Sequence, residues 1–308
     1  MENGKRKIQL YKVRNFSEKF DDTFAFVREN YKVLLKYLTY LILPVCLVQA
    51  IAMNGYMEGT IGMSTHQSSD MEAMLQNIGW SYGGIILMSI IGGLLMTSVV
   101  YAVIELYNAS ENGLSGLTGS DFKPTFLHML KRGVLSFLFF MALFILVIVL
   151  VGLIGWLVSW WIILPVVIGM MVVIIPLMHF MPVYMFEDIS LTGALSKSLR
   201  LGFSTWWSTF AIIFVLGIIV SFVQGVFATP YYIAMMVKAF LGVQGSGDSL
   251  TDSVGYSFML YLFGVIQTYV TYAVSTIVYV GLAYQYGHAS EKLYHVTMEG
   301  SIQHFEDL

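Results

Sequence analysis

Apolar residues gather in long runs separated by short polar stretches. A helix needs about 20 residues to cross a bilayer, because each residue adds about 1.5 Å. Runs of this length lie at residues 33–53, 80–104, 134–157, 161–186, 206–228 and 256–283. The third and fifth runs contain no charged residue, so they should insert most favourably. The pattern predicts an all-α membrane protein with six transmembrane helices.

Segments in which apolar residues recur at helical spacing precede the first, third and fifth runs. The positions that share the less polar face are Phe16, Phe20, Phe24 and Val27, then Phe122, Phe126, Met129 and Leu130, then Leu191, Ala194, Leu195, Ser198 and Gly202. Ser120 with Asp121 can start the second segment, and Asp188 or Ser190 the third. The layout predicts three helical hairpins, each preceded by an amphipathic interfacial helix; whether it is a true internal repeat stays open.

The basic residues fall almost entirely on one side of these spans. Nine of the sixteen Lys and Arg residues precede or open the first span, three separate spans two and three, two separate spans four and five, and Lys292 lies in the tail. Lys238 alone falls on the other side. The positive-inside rule therefore predicts that both termini are cytoplasmic. Residues 1–14 form a basic tail, 15–288 one membrane domain, and 289–308 a cytoplasmic tail.

Composition supports a lipid environment. Apolar residues make up 57% of the chain and charged residues 11%, which is too apolar for an ordinary soluble domain. The net charge of -3 gives no reason to expect a nucleic-acid partner. Cys46 is the single cysteine and lies inside an apolar run, so neither an internal disulfide nor a thiolate metal site is expected.

The stretch "EDISLTGALSKSLRLG" at 187–202 resembles the signature of a bacterial six-span family. The matching positions are Glu187, Ala194, Ser198 and Leu201, followed by a pair of tryptophans, Trp206 and Trp207, that opens a span. That family includes the membrane domain attached to some glycerophosphodiester phosphodiesterases, together with stand-alone relatives. The chain shows nothing like the catalytic barrel of those enzymes, so the resemblance implies a bacterial membrane protein without that activity.

Span four contains a candidate bent-helix site. Its prolines are Pro165, Pro176 and Pro182, and His179 lies between the last two. Proline removes a backbone donor and bends a helix, and broken helices form substrate sites in many transporters. A kinked packing helix with an interfacial histidine is the favoured interpretation.

Span six contains a candidate polar intramembrane face. Its members are Gln267, Thr268, Thr271, Tyr272, Ser275, Thr276 and Tyr279, and Gln49 and Gln224 could meet it from spans one and five. A transport path would need such a lining, but hydrogen bonds between packed helices use the same residues. Packing is the favoured interpretation, because no ionisable residue accompanies the polar ones.

No catalytic motif is present, and the acidic residues and His66 of the two outer loops lack metal-ligand spacing. The sequence therefore predicts no enzyme, no cofactor and no metal. We expect a multi-pass protein of the bacterial cytoplasmic membrane, acting as a scaffold or accessory component. Its partners would be membrane lipids or other membrane proteins. The alternative is a small-molecule or lipid transporter that uses the bent span four and the polar face of span six.

Overall fold

The described part of the chain is built of helices. The structure, a computed structural model, describes residues 7–65, 71–110, 113–114, 116–157, 161, 163–243, 251 and 253–297. The helices are α1 Phe16–Thr65, α2 Met71–Ala109, α3 Gly119–Leu157, α4 Ile163–Leu177, α5 Phe180–Phe186, α6 Leu191–Ser204, α7 Trp206–Val243 and α8 Val254–Tyr294. No strand lies in these ranges, and the all-α prediction is confirmed.

Six helical segments of the described residues are long and apolar enough to cross a membrane. They match the six predicted runs, and the fourth, Leu164–Phe186, joins α4 and α5. The most apolar part of α3 has no residue buried inside the protein. Phe144, for example, is 64% exposed. Because exposing apolar surface to water costs about 25 cal/mol per Å², such a helix requires hydrocarbon around it. This is the pattern of a multi-pass membrane protein.

Local hydrogen bonds define where the helices begin. Asn15 and Glu18 form a reciprocal capping box at the start of α1: the Glu18 N–H donates to Asn15 Oδ1 at 2.9 Å, and the Asn15 N–H donates to Glu18 Oε2 at 2.8 Å. At α6, Ser190 Oγ accepts from the N–H of Gly193 at 3.2 Å, which settles the choice between Asp188 and Ser190.

At α3, Ser120 and Asp121 both contribute to the start as predicted, and both bond to Thr118. The hydroxyls of Ser120 and Thr118 lie 2.7 Å apart. The backbone N–H of Thr118 donates to Asp121 Oδ2 at 3.2 Å, and the Thr118 hydroxyl donates to it at 2.5 Å. The helix consequently begins at Gly119.

The three amphipathic segments differ in how they join their spans. The first two are the opening turns of α1 and α3, and the helix continues from them into the apolar run. The third is the separate helix α6, because Thr205 leaves the helical conformation and Trp206 begins α7. The Thr205 hydroxyl and N–H both bond to the carbonyl of Leu201, at 2.9 and 3.1 Å, which closes α6.

The helices contribute to two compact units. Unit 1 contains the described residues of Met1–Leu34, Thr97–Gly217 and Ile277–Leu308. Its core joins α5, α6 and α8, and contains Phe180, Val183, Tyr184, Ala194, Leu201, Tyr286 and Ala289. Residues 7–15, which precede α1, lie across this unit as a strap in which Leu10 is buried.

Unit 2 contains the described residues of Leu35–Met96 and Ile218–Thr276. Its core contains Tyr231, Ala234, Met235 and Leu260. Gly92 on α2 lies against the ring of Tyr272 on α8, and a Cβ at this position would overlap that ring. The absence of a side chain at Gly92 thus lets an aromatic ring pack directly on the α2 backbone.

Candidate functional site

The prolines of the fourth span divide it into two helices. Pro165 lies in the first turn of α4, Pro176 in its last turn, and Pro182 in the first turn of α5. Pro176 has no N–H, so the carbonyl of Val172, four residues earlier, loses its helical donor. The indole N–H of Trp206 donates to this carbonyl at 2.9 Å. The first residue of α7 therefore supplies the hydrogen bond that the proline removes.

The residues of the family resemblance form the packed face of α6. Ala194, Ser198 and Leu201 are buried. Gly202 follows them and lies against the backbone of Pro176, where a Cβ would overlap the proline Cα. α6 is thus fitted directly onto the bend of the fourth span.

Glu187 connects three elements of unit 1. Its carboxylate accepts from the Tyr286 hydroxyl at 2.5 Å and from the Lys197 ammonium at 2.6 Å. Its backbone carbonyl accepts from Arg132 at 2.5 Å, and Arg132 also pairs with Asp188 at 2.9 Å. The side chain of Glu187 is 18% exposed, so these charge-assisted bonds are partly shielded from solvent. They attach the segment between α5 and α6 to α3, α6 and α8.

His179 lies at the break between α4 and α5 and is fully buried. Its Nε2 is 3.5 Å from Thr209 Oγ1, and its Nδ1 has no partner among the described residues. Gln285 donates to Thr209 at 2.9 Å, and Ser208, next to Thr209, accepts from Lys19 at 2.6 Å. The histidine therefore belongs to a buried polar cluster of unit 1, which sequence analysis did not predict.

The polar face of span six is largely engaged in hydrogen bonds within unit 2. The Tyr272 hydroxyl donates to Gln49 Oε1 at 2.9 Å, and Gln224 donates to Ser275 Oγ at 3.1 Å and to the Thr271 carbonyl at 3.2 Å. Gln49 and Gln224 thus do reach α8. These bonds join α8 to α1 and to α7, as helix packing requires.

The other members of that face have different surroundings. Thr268 and Thr276 are buried, and Gln267 Oε1 is buried with no partner among the described residues. Tyr279 lies in unit 1, where its ring meets Tyr101 edge-on with centroids 6.4 Å apart. The predicted face is therefore divided between the two units.

The strap that precedes α1 is a feature that sequence analysis missed. The side chain of Arg14 is fully buried and donates to the carbonyls of Gln9, Leu10 and Lys12 and, at 2.6 Å, to Asp22. The carbonyl of Leu10 touches α8 at a position where a Cβ on Gly287 would overlap it. The Arg14 side chain thus holds the strap together from inside, and the absence of a side chain at Gly287 lets the strap pack directly on α8.

A second anchor of the strap is Tyr11. Its hydroxyl lies 3.2 Å from the hydroxyl of Tyr286. Burial raises the pKa of the Tyr11 phenol, and the hydrogen bond with Tyr286 lowers it by less. The phenol is therefore neutral at physiological pH and available as a hydrogen-bond donor.

Glu58 and Lys238, which the sequence places in or beside the two outer loops, form an ion pair at 2.7 Å. His66, Asp70, Asp248 and Asp252 lie outside the described residues, as do Lys5, Arg6, Trp160 and residues 298–308. In the described part of the chain, no group of three His, Cys, Asp or Glu side chains is arranged to hold a metal ion.

Comparison of the chain with protein-family models, with curated proteins and with solved structures finds no match. The functional argument therefore depends on the patterns of the sequence and on the geometry of each unit.

Proposed function

We propose that the protein is a non-catalytic scaffold or accessory component of a bacterial cytoplasmic membrane, with both termini in the cytoplasm. It acts by presenting helix α6 to lipid headgroups or to a protein partner. The likeness of residues 187–207 to a bacterial six-span membrane family supports this proposal, as does the bias of the basic residues.

The observation that carries the proposal is the contrast between the two faces of α6. One face is fixed by Gly202 against Pro176 and by the ion pair of Lys197 with Glu187. The opposite face exposes Thr192, Ser196 and Arg200. A helix held so firmly loses little further conformational entropy when it binds, which suits a recognition surface.

A transporter is the second candidate. The buried Gln267 Oε1 without a partner among the described residues favours it, because such a group could face a passing solute. The hydrogen bonds of Gln49, Gln224 and Tyr272 favour the scaffold, because these side chains join α8 to α1 and α7 and are therefore already occupied by protein groups.

Cysteine labelling separates the two candidates. In a Cys46→Ala background, Ser196→Cys, Thr271→Cys and Ser275→Cys are each treated with a water-soluble maleimide. The scaffold predicts that Ser196→Cys reacts fully in the purified protein, whereas the two positions on α8 do not react. Rapid labelling of Thr271→Cys or Ser275→Cys would show a hydrated path and would contradict the proposal.

The contact itself is tested by comparing native membranes with the purified protein. We expect Ser196→Cys to react more slowly in native membranes, because a partner or headgroups cover α6. Ser120→Cys is the control, since Ser120 is also exposed and lies on the same predicted side. Equal rates for Ser196→Cys in both settings would refute an α6 contact. In sealed vesicles, the label should reach both positions only from the cytoplasmic side.

A further inference from the structure

A chain of hydrogen bonds leads from the strap to helix α6 within unit 1. The hydroxyl of Tyr11, on the strap, lies 3.2 Å from the hydroxyl of Tyr286, on α8. The Tyr286 hydroxyl lies 2.5 Å from Oε1 of Glu187, which precedes α6. The second carboxylate oxygen of Glu187 accepts at 2.6 Å from the ammonium of Lys197, on α6. Four side chains thus join the strap to α6 without a gap.

The number of protons fixes the direction of this chain. A phenol has a single O–H donor, and that of Tyr286 bonds to the Glu187 carboxylate, which can only accept. The bond between the two phenols is therefore donated by Tyr11 and accepted by Tyr286. Each donated bond polarises the next one, and a chain that ends on a carboxylate is strengthened by its charge. Loss of the Tyr11 hydroxyl should thus weaken the bond from Tyr286 to Glu187.

The strap has the features of a segment that opens on its own. It belongs to no helix, and within residues 7–15 only Leu10 and Arg14 are buried. Besides Tyr11, single hydrogen bonds attach it to the neighbouring helices: Lys7 Nζ to the Asn108 carbonyl at 2.6 Å, the Ile8 N–H to the Tyr107 hydroxyl at 3.1 Å, and the Arg14 N–H to His288 Nδ1 at 3.0 Å. Segments with few buried contacts open at a lower cost than the whole protein. The strap therefore supplies the two states that energetic coupling requires.

The ion pair at the other end of the chain engages the charge of Lys197. Its ammonium bonds to Glu187 and lies 4.9 Å from the centroid of the Tyr294 ring. Arg200, three residues later on α6, is exposed. Residues at this spacing are neighbours on a helix surface, so a released Lys197 would add a second cation beside Arg200.

We infer that the strap is a latch, and that its opening is coupled to the release of Lys197 from Glu187 through Tyr11 and Tyr286. Coupling is reciprocal. A contact that draws Lys197 away from Glu187 therefore favours the open strap, and one that holds the ion pair keeps the strap closed. The inference goes beyond the proposed contact of α6, because the coupling belongs to the protein without any partner.

Maleimide labelling of the purified protein measures the opening of the strap. Leu10 is 6% exposed, so Leu10→Cys in a Cys46→Ala background should react with a water-soluble maleimide only when the strap opens. The rate of labelling then follows the population of the open strap. Tyr11→Phe should raise this rate about fivefold, which is the loss of one neutral hydrogen bond. Lys197→Met should raise it about threefold, although Lys197 lies at the far end of the chain.

A double-mutant cycle separates coupling from a general loosening of the strap. Once Tyr11→Phe has broken the chain, Lys197→Met should have no further effect on the rate. Tyr107→Phe is the matched control, because it removes another hydroxyl that holds the strap, the acceptor of the Ile8 N–H, and leaves the chain intact. In the Tyr107→Phe background, Lys197→Met should keep the full effect that it has alone.

Two results would overturn the coupling. One is an unchanged labelling rate in Lys197→Met, because the strap would then open independently of α6. The other is an effect of Lys197→Met that persists in the Tyr11→Phe background, since it would bypass the two phenols. Glu187→Gln keeps the shape of the side chain and breaks the ion pair, so it should raise the rate at least as much as Lys197→Met. Circular dichroism of each variant, with the native helix content expected, distinguishes faster labelling from a loss of fold.

Discussion

Replacing Trp206 by phenylalanine removes one hydrogen bond and little else. The indole N–H donates at 2.9 Å to the carbonyl of Val172, which has no helical donor because Pro176 lies four residues later. The ring itself stacks on Phe210, with centroids 5.6 Å apart and planes inclined by 15°, and phenylalanine can keep that contact. The variant therefore tests whether the carbonyl needs this particular donor.

The expected cost follows from the surroundings of the carbonyl. Val172 is 45% exposed at the surface of the protein, which faces hydrocarbon in a membrane. An acceptor that loses its partner out of reach of water costs about 1–3 kcal/mol, and hydrogen bonds inside membranes are worth about 0.6 kcal/mol on average and about 1.7 at most. We therefore expect Trp206→Phe to lower the free energy of unfolding by about 1–2 kcal/mol. This corresponds to roughly 5- to 30-fold in the unfolding equilibrium constant.

The measurement is equilibrium unfolding in bicelles, followed by circular dichroism. Trp207→Phe is the control, because Trp207 is 76% exposed and its indole has no hydrogen bond to any described residue. It loses the same atoms without losing a partner, and it should cost less than about 0.5 kcal/mol, as surface substitutions do. A cost for Trp207→Phe equal to that of Trp206→Phe would show that ring size, not the hydrogen bond, matters.

A double-mutant cycle gives a stricter test. Pro176→Ala restores an N–H that can donate to the Val172 carbonyl, and it keeps the Cα and Cβ on which Gly202 packs. In this background Trp206→Phe should cost about 1 kcal/mol less than it does alone, since the two positions supply the same hydrogen bond. An unchanged cost would refute the claim that tryptophan substitutes for the proline's missing donor.

Three further variants test other contacts by the same unfolding assay. Gly202→Ala should destabilise the protein by about 2–3 kcal/mol, because its Cβ would overlap the backbone of Pro176. The control Gly217→Ala, which has no atom within 4 Å of its Cβ, should be neutral or stabilising by up to about 1 kcal/mol, and equal effects of the two variants would contradict the packing. Arg14→Lys should lower the free energy of unfolding by about 2 kcal/mol and speed proteolysis of the strap, because lysine cannot bond three carbonyls and a carboxylate together. An unchanged rate of cleavage would contradict the role of Arg14 in holding the strap. Tyr272→Phe should cost only about 0.6 kcal/mol, the value of one interhelical bond, and a much larger loss would indicate another role.

The spans could be predicted because insertion into lipid depends on local composition. The run at 134–157 is apolar on all sides of a helix, so it can be predicted without knowing which helices lie next to it. In the structure it belongs to α3, which ends at Leu157. The start of α1 was equally predictable from Asn15 and Glu18, which have the spacing of a capping box.

Contacts between distant residues could not be predicted in the same way. The sequence identifies Trp206 only as one of the two tryptophans that open a span, and nothing near it indicates that its indole reaches Val172. Arg14 was counted as one of many basic residues that set topology, yet its side chain is fully buried. In both cases the partner is chosen by tertiary packing. The periodicity of a single chain contains no information on which helix faces meet.

The two units use their polar residues in different ways. In unit 2, Gln49 bonds to Tyr272 and Gln224 to Ser275, so these four side chains satisfy one another. In unit 1, the ammonium of Lys19 has a hydroxyl as its partner where a carboxylate would be needed to balance its charge.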